Sequence, residues 1–369
     1  MKVAIMGAGL SGLACALTLE QNGIQPTIYE KRRGVGDRFI NGEAMLSILT
    51  RPVQDPIRYL GERFHIYLKP TSHINELMIH SPNSSASVKE HLGFINIRGR
   101  HEQSYENQLA EQMKSEIIFH SNKSYEELSQ EYSHVIIATG DAAYADEMGN
   151  FQNDLTVTIK GATIVGDFSP YSVPVWLDYE VAPKGYGYFL PFSHNEGNMA
   201  IAFPEYGEIS QEELSRLWDN FMNKVCNHFN QTVKVTDQFQ ITGYQIGRSK
   251  LPRIGNTFFT GNCFGSIMPF LGFGQFASIL TGVYAANDIL GNGVYEELTQ
   301  HLRKSYQNSL VLRQGLEALS NGSVDFLVNQ LNHEITKKIF TKNSHNPLGL
   351  LSFLLRPFVN RLHLPNKKR

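Results

Sequence analysis

The apolar positions of the chain fall into three patterns: short unbroken runs, period-two alternation and helical stripes. Residues 2–6 form a run that predicts a strand buried on both faces, as in a parallel sheet. Residues 11–22 place Leu13, Ala16, Leu17 and Leu19 on one helical stripe, and Asn22-Gly23 supplies the stop. Residues 26–30 predict the next strand, so the chain opens as strand, Gly-rich turn, helix and strand. That order begins a doubly wound α/β sheet. Val135-Ile136-Ile137-Ala138-Thr139-Gly140 and Phe258-Phe259-Thr260-Gly261 predict two more buried strands, each ending in a turn, and a helix follows over about 275–290.

The stretches between differ in kind. Residues 31–43 are charged and Gly-rich and predict a loop. Residues 55–97, with β-branched and aromatic residues and the turn Ser81-Pro82-Asn83-Ser84, predict strands of a second layer. Residues 102–116 predict a polar helix with Leu109 and Met113 on one face. Residues 155–205 alternate short strands with Gly and Pro, an antiparallel pattern. Leu214, Leu217, Trp218, Phe221 and Val225 mark a helix over 210–229, and the remainder is mostly helical. Nucleotide-type βα pieces and sheet-like pieces therefore interleave along the chain.

Length and charge narrow the class. A chain of 369 residues suggests two or three domains. Its 41% hydrophobic and 18% charged residues exclude disorder, collagen and a disulfide miniprotein. With 33 basic and 35 acidic residues there is no basic excess, so no nucleic-acid partner is expected. Cys15, Cys226 and Cys263 are too few and scattered for a disulfide framework and read as reduced thiols of a cytoplasmic protein. The run Met1–Met6, stopped by Gly7, is far too short for a secretory signal, and no run approaches the roughly 18 apolar residues of a membrane span.

The first chemical signal is Gly7-x-Gly9-x-x-Gly12, placed after a strand, opening a helix, and followed by Glu30 at the end of the next strand. Gly7 permits the tight turn, Gly9 lets a pyrophosphate approach the backbone, and Gly12 lets helix and strand pack closely. The helix N-terminus supplies free N–H groups and positive potential for phosphate. The Glu30 carboxylate suits ribose hydroxyls and repels a 2′-phosphate, despite Arg32 and Arg33 nearby. Ser11 and Lys31 join these as candidate cofactor contacts. Arg38 either steadies the pyrophosphate or is a solvated loop charge.

The second signal is Gly261-Asn262-Cys263-Phe264-Gly265-Ser266-Ile267-Met268-Pro269-Phe270-Leu271-Gly272-Phe273-Gly274-Gln275. It resembles the second FAD fingerprint of the p-hydroxybenzoate-hydroxylase-like flavoproteins, in which a Gly-Asp pair precedes a Pro-x-x-Gly-x-Gly loop and a helix. The resemblance implies FAD, with the residue at 262 on the ribityl chain and the Gly272 to Gly274 loop facing the flavin pyrimidine edge. Asn262 stands where that family has Asp; the amide still bonds a hydroxyl but lacks the charge. Within that superfamily the chain resembles the geranylgeranyl reductases. Trp176-Leu177-Asp178-Tyr179-Glu180-Val181-Ala182-Pro183-Lys184-Gly185-Tyr186-Gly187-Tyr188-Phe189-Leu190-Pro191 is similar to their Gly-Tyr-x-Trp/Tyr-x-x-Pro segment. Ile97-Arg98-Gly99 with Ser104-Tyr105-Glu106-Asn107-Gln108-Leu109 is similar to a stretch whose Arg contacts the cofactor, and the run ending in Gly140 to an Ala-Thr-Gly motif of many flavoproteins. Several of these reductases carry a cysteine before a Gly-Glu pair near the flavin; here Phe39-Ile40-Asn41-Gly42-Glu43 has none.

The resemblance implies an α/β architecture: a Rossmann-like FAD-binding domain (1–54, 91–160 and 250–294) interleaved with an antiparallel-sheet substrate domain (55–90 and 161–249), and a helical C-terminal region (295–369). It implies reduction of carbon–carbon double bonds in an isoprenoid chain. Trp176, Tyr186, Tyr188 and Phe189 are either the wall of an apolar substrate cavity or a packed sheet core. No residue stands out as the proton donor; Tyr188 is the candidate on position alone. A flavin monooxygenase and a non-catalytic flavin or lipid carrier remain the alternatives. No second Gly-x-Gly-x-x-Gly is present, so electrons must come from docked NAD(P)H or a redox protein, and no histidine pattern predicts a metal site. The apolar run Pro347–Leu355, followed by Arg356, Arg361 and Lys367-Lys368-Arg369, is either a peripheral contact with an anionic membrane or a C-terminal helix packed on the body.

Overall fold

The computed structural model describes residues 1–333 together with Gly349, Leu351–Phe353 and Leu355. Its first sheet has the spatial order Arg253–Ile254, Thr257–Phe259, His134–Ile137, Val3–Met6, Thr27–Tyr29, Ile117–Ile118, parallel throughout except for the first pair. Val3–Met6 lies at its middle, at most 4% exposed, which is why the opening run carries no alternation. Helices Leu10–Gln21 and Gln275–Ile289 pack against this sheet and against each other. They cross so closely that a Cβ on Gly282 would lie 2.0 Å from the Ser11 carbonyl oxygen.

The second sheet has eight strands, ordered Lys234–Ser249, Phe151–Val165, Glu196–Pro204, Tyr186–Pro191, Ser172–Trp176, Ser72–His80, Ser85–Arg98, Asn41–Leu46. Only Ser72–His80 and Ser172–Trp176 pair in parallel. Residues 41–46, 91–98 and 151–160, placed with the cofactor domain by the sequence, form strands of this second sheet. Helix Gln211–Phe229 covers one face. Ser210 caps it by accepting from the Glu213 N–H at 3.1 Å, and Leu214, Leu217, Trp218, Phe221 and Val225 are all buried. It lies tight on the sheet: a Cβ on Gly187 would come within 2.5 Å of the Phe221 ring.

Local elements depart from the sequence expectations in three places. Residues 56–64 are a helix rather than a strand. Asp55 caps it, accepting from the Arg58 N–H at 2.9 Å, Pro56 opens it, and Leu60 anchors it in the core. The helix expected over 102–116 spans only Tyr105–Ala110. Beyond it the Glu20 carboxylate takes the N–H groups of Lys114 and Ser115, which leads the chain into the edge strand Ile117–Ile118. The loop expected over 31–43 ends early, where Asn41 pairs with Arg98.

Helices Gln300–Glu317 and Asn321–Gln330 follow. Most of the apolar and basic segment 347–369 lies outside the described residues; Leu351 and Phe353 within it are exposed. Among the described residues, no helix is long and apolar enough to cross a membrane.

Candidate functional site

The parallel strands end together on one edge, and there the loops open a cavity of about 860 Å³ that continues over the free face of the second sheet. A crevice at the carboxyl ends of parallel strands is where α/β sheets bind ligands. Gly7 has φ +111°, and a Cβ on it would lie 2.4 Å from the Ala138 carbonyl oxygen, so both conformation and space demand glycine. A Cβ on Gly12 would lie 2.1 Å from the Gly7 carbonyl oxygen. Gly9 differs: a Cβ there would meet no protein atom, because it faces the cavity. Gly9 caps helix Leu10–Gln21 without a side-chain hydrogen bond, and the first turn holds no acidic residue. The N-terminal N–H groups are thus left for an anion. Ser11 is buried under this turn and accepts from the Thr260 hydroxyl at 3.2 Å.

Glu30 is buried beside the same turn. Its two oxygens accept the N–H groups of Ala8 at 2.8 Å and Arg32 at 2.9 Å, which aims the carboxylate into the cavity rim. Lys31 is exposed on that rim. Arg38 reaches across to Gly140, where a Cβ would lie 3.4 Å from the guanidinium. This places Arg38 on the cavity, not out in a solvated loop.

The second fingerprint lies opposite. Gly261 (φ +58°) donates its N–H to the Thr281 hydroxyl at 2.9 Å. The amide of Asn262 donates to the Gly140 carbonyl at 3.0 Å and to the Tyr244 hydroxyl, and its oxygen accepts from Ser266 at 3.1 Å. The amide end does what a carboxylate cannot: it closes the site by donating to a carbonyl. Gly272 (φ +71°) turns the loop back, donating to Met268 at 2.9 Å. Gly274 then caps helix Gln275–Ile289 with no side-chain bond and no acidic residue in the first turn. Two helix N-terminal ends thus face one cavity, and Asn96 and Gln275 tie the second of them to the second sheet through their side-chain amides.

The apolar lobe is walled by the free face of the second sheet, including Leu155, Val157, Val173, Val175, Tyr186 and Tyr188. Tyr186 donates to the Leu271 carbonyl of the Gly-rich loop, and Tyr188 donates to Asn41 Oδ1 at 3.2 Å. Burial raises both phenols far above their ordinary value. Trp176 and Phe189 do not wall this cavity: of the two alternatives the sequence left open, they take the packed core. Strand alternation turns Phe189 to the other face with Gly187. There it packs 4.6 Å from Phe168 and 4.8 Å from Phe229, while Trp176 meets Phe221 at 5.4 Å. Both belong to the core under helix Gln211–Phe229.

Arg98 is on the cavity wall but is held by carboxylates. It donates through Nε to Glu106 Oε1 at 2.7 Å and through Nη1 to Glu43 Oε1 at 3.1 Å. Burial opposes its charge, but the two carboxylates outweigh that and hold it protonated. Glu43, raised by burial and by Glu106 against the pull of Arg98, was visible in the sequence only as half of a Gly-Glu pair. Glu106, Asn41 and Tyr244 were missed as site residues; Asn41 meets Tyr188 only across the sheet, whereas Glu106 lies just eight residues beyond its partner Arg98.

The donor set fits FAD. The Gly7–Gly12 turn would hold its pyrophosphate, Glu30 its adenosine ribose, Asn262 its ribityl chain, and the Gly272–Gly274 loop its flavin edge. Residues 1–166 match the family model for pyridine nucleotide-disulphide oxidoreductases. No curated protein matches the chain. Among solved structures, a geranylgeranyl bacteriochlorophyll reductase-like protein from Thermoplasma acidophilum superposes with TM-score 0.73 at 16% identity, covering 98% of each chain. The flavin-dependent brominase Bmp2 superposes with TM-score 0.67 at 12% identity, covering 98% of this chain and 99% of its own. A variant of the halogenase PltM in complex with FAD gives TM-score 0.64 at 13% identity, covering 97% and 90%. The chain thus shares the fold of these flavin-dependent proteins, and its site carries the donor set that FAD would need. Cys15, Cys226 and Cys263 are all free thiols.

Proposed function

We propose that this chain is an FAD-dependent reductase that saturates carbon–carbon double bonds of an isoprenoid chain. The observation that carries the reading is the apolar lobe, a long aliphatic wall with two tyrosines that opens directly onto the cofactor crevice. Such a wall suits a substrate without polar handles. Reduced FAD supplies hydride when bound. The chain's own part is to bind the alkene against the free sheet face, to exclude water with the Tyr186–Leu271 closure, and to provide a proton.

An external donor, NAD(P)H or a redox protein, would reduce the cofactor. The apolar and basic segment 347–369 would rest on an anionic membrane holding the substrate, and co-sedimentation with anionic but not neutral vesicles tests that contact.

The function itself is tested anaerobically. The FAD-loaded protein is reduced with dithionite and given geranylgeranyl lipids or diphosphate, and mass spectrometry looks for products heavier by pairs of hydrogens as the flavin reoxidises. Untouched lipid, with rapid flavin reoxidation in air and oxygenated products from aromatic substrates, would replace this reading with a monooxygenase.

A further inference from the structure

The alkene reduction proposed above needs a proton on the carbon that does not take hydride, and an isolated alkene is a weak hydride acceptor. The cavity wall holds one cluster built to store that proton. Strands Asn41–Leu46 and Ser85–Arg98 pair so that Asn41 faces Arg98 and Glu43 faces Asn96. Helix Tyr105–Ala110 brings Glu106 beneath them. Two carboxylates therefore converge on a single guanidinium, at 2.7 Å for Glu106 and 3.1 Å for Glu43.

The cluster is short of positive charge and of hydrogen bonds. Both carboxylates ionised against the one Arg98 guanidinium would leave one net negative charge among these three groups. The side chain of Glu106 is 5% exposed, and its Oε2 has no hydrogen-bond partner among the described residues. An ionised carboxylate oxygen buried without a donor is costly. Gly36 packs over Glu106, where a Cβ would lie 3.1 Å from the Glu106 Cβ, so the side chain has little room to withdraw. The cheapest relief is one proton shared by the pair. The distances favour Glu43 as its seat: Glu106 takes the shorter bond from Arg98, whereas Glu43 has the longer bond and keeps 29% of its side chain accessible on the cavity.

We propose that Glu43 is the proton donor of the reaction and that Glu106 and Arg98 are positioning residues that hold the proton on it. The inference rests on the reductase reading. In the step, the Glu43 Oε2–H bond breaks and a C–H bond forms on one alkene carbon. The other carbon would take the hydride, with its two electrons, that bound reduced FAD would supply. The Glu43 carboxylate left behind is stabilised by Arg98, and solvent returns the proton through the cavity mouth. The groups that face Glu43 are Arg98 from its neighbouring strand, Glu106 from the helix, and Tyr186 and Tyr188 from strand Tyr186–Pro191. Tyr188, the candidate on position alone, donates its only proton to Asn41 and is a poor acid.

The test uses FAD-loaded protein carrying glutamate labelled with ¹³C at the side-chain carboxyl. The expected NMR result is a carboxyl resonance, absent from Glu43→Gln, that titrates above the ordinary glutamate midpoint of about 4.3. In Glu106→Gln that midpoint falls, because the neighbouring negative charge is gone. In anaerobic single turnovers with a geranylgeranyl lipid, Glu43→Gln slows product formation by about a hundredfold or more, the usual size of a general-acid contribution, and Glu43→Asp recovers part of it. A Glu43 midpoint at or below the ordinary value overturns the proposal, as does a Glu43→Gln rate within about threefold of the parent. If the parent protein reduces no lipid, the reductase reading fails, while the titration still reports whether the cluster stores a proton.

Discussion

Gly9 and Gly12 stand three positions apart and do different work. The Cβ absent from Gly12 would strike the Gly7 carbonyl at 2.1 Å, whereas that absent from Gly9 would enter open cavity. Gly12→Ala is therefore expected to destabilise the protein without FAD by about 1–3 kcal/mol, the range for overpacking. Gly9→Ala is expected to melt like the parent without FAD yet to bind FAD at least tenfold more weakly, about 1.4 kcal/mol. Thermal melts and FAD titrations of both variants separate the two roles, and equal loss of stability would deny Gly9 a ligand-facing part. Tyr188→Phe is expected to slow single-turnover reduction by less than about tenfold, since it removes one hydrogen bond worth roughly 0.5–1.5 kcal/mol. A hundredfold loss would return the proton to Tyr188.

At the scale of elements, the strand Ser72–His80 and the helix Gln211–Phe229 meet through an aromatic stack. His80 lies 5.5 Å from Trp176 and 5.1 Å from His228, and its Nε2 is buried without a hydrogen-bond partner among the described residues. Burial, with the positive neighbours His228 and Lys224, lowers its pKa to about 4. The fold thus prefers the neutral ring. As pH falls from the ordinary value of 6.5 toward about 4, the unfolded chain takes up a proton that the folded one refuses, and stability is lost across that window. His80→Phe keeps the stack and removes the titration, so its melting temperature is expected to decline less steeply from about pH 7 to about pH 4.5. Parallel declines in both proteins would assign the acid sensitivity elsewhere.

The helix Gln211–Phe229 was legible because its stripe is local. The helix Pro56–Phe64 was hidden among β-branched neighbours, though Asp55-Pro56 was a start signal in plain view.

Across the whole molecule, the cavity is lined from both sheets, so one ligand should tie them together. The two tryptophans, Trp176 and Trp218, both belong to the core on the far face of the second sheet. Their fluorescence therefore reports the second sheet and not the crevice at the ends of the first. FAD at a hundred times its Kd is expected to stabilise the folded state by about 2.7 kcal/mol and to move the tryptophan transition by the same amount as the flavin-release transition. A tryptophan transition that ignores FAD would mean that the two sheets unfold independently.

What the sequence determined by itself was whatever depends on near neighbours. Gly7, Gly9, Gly12 and Glu30 announced a dinucleotide crevice, because turn dihedrals and strand–helix spacing are set within about 25 residues. The Gly261–Gln275 loop pointed to a flavin through its resemblance to the second FAD fingerprint. Tertiary structure decided the rest. Period-two alternation shows that a strand has two faces and not which one is covered, so Tyr186 and Tyr188 could not be told from Phe189 until helix Gln211–Phe229 had taken its side. The meeting of Glu43, Arg98 and Glu106 likewise exists only because two strands and a helix converge, and the charge imbalance among them is a property of that burial, not of any residue alone.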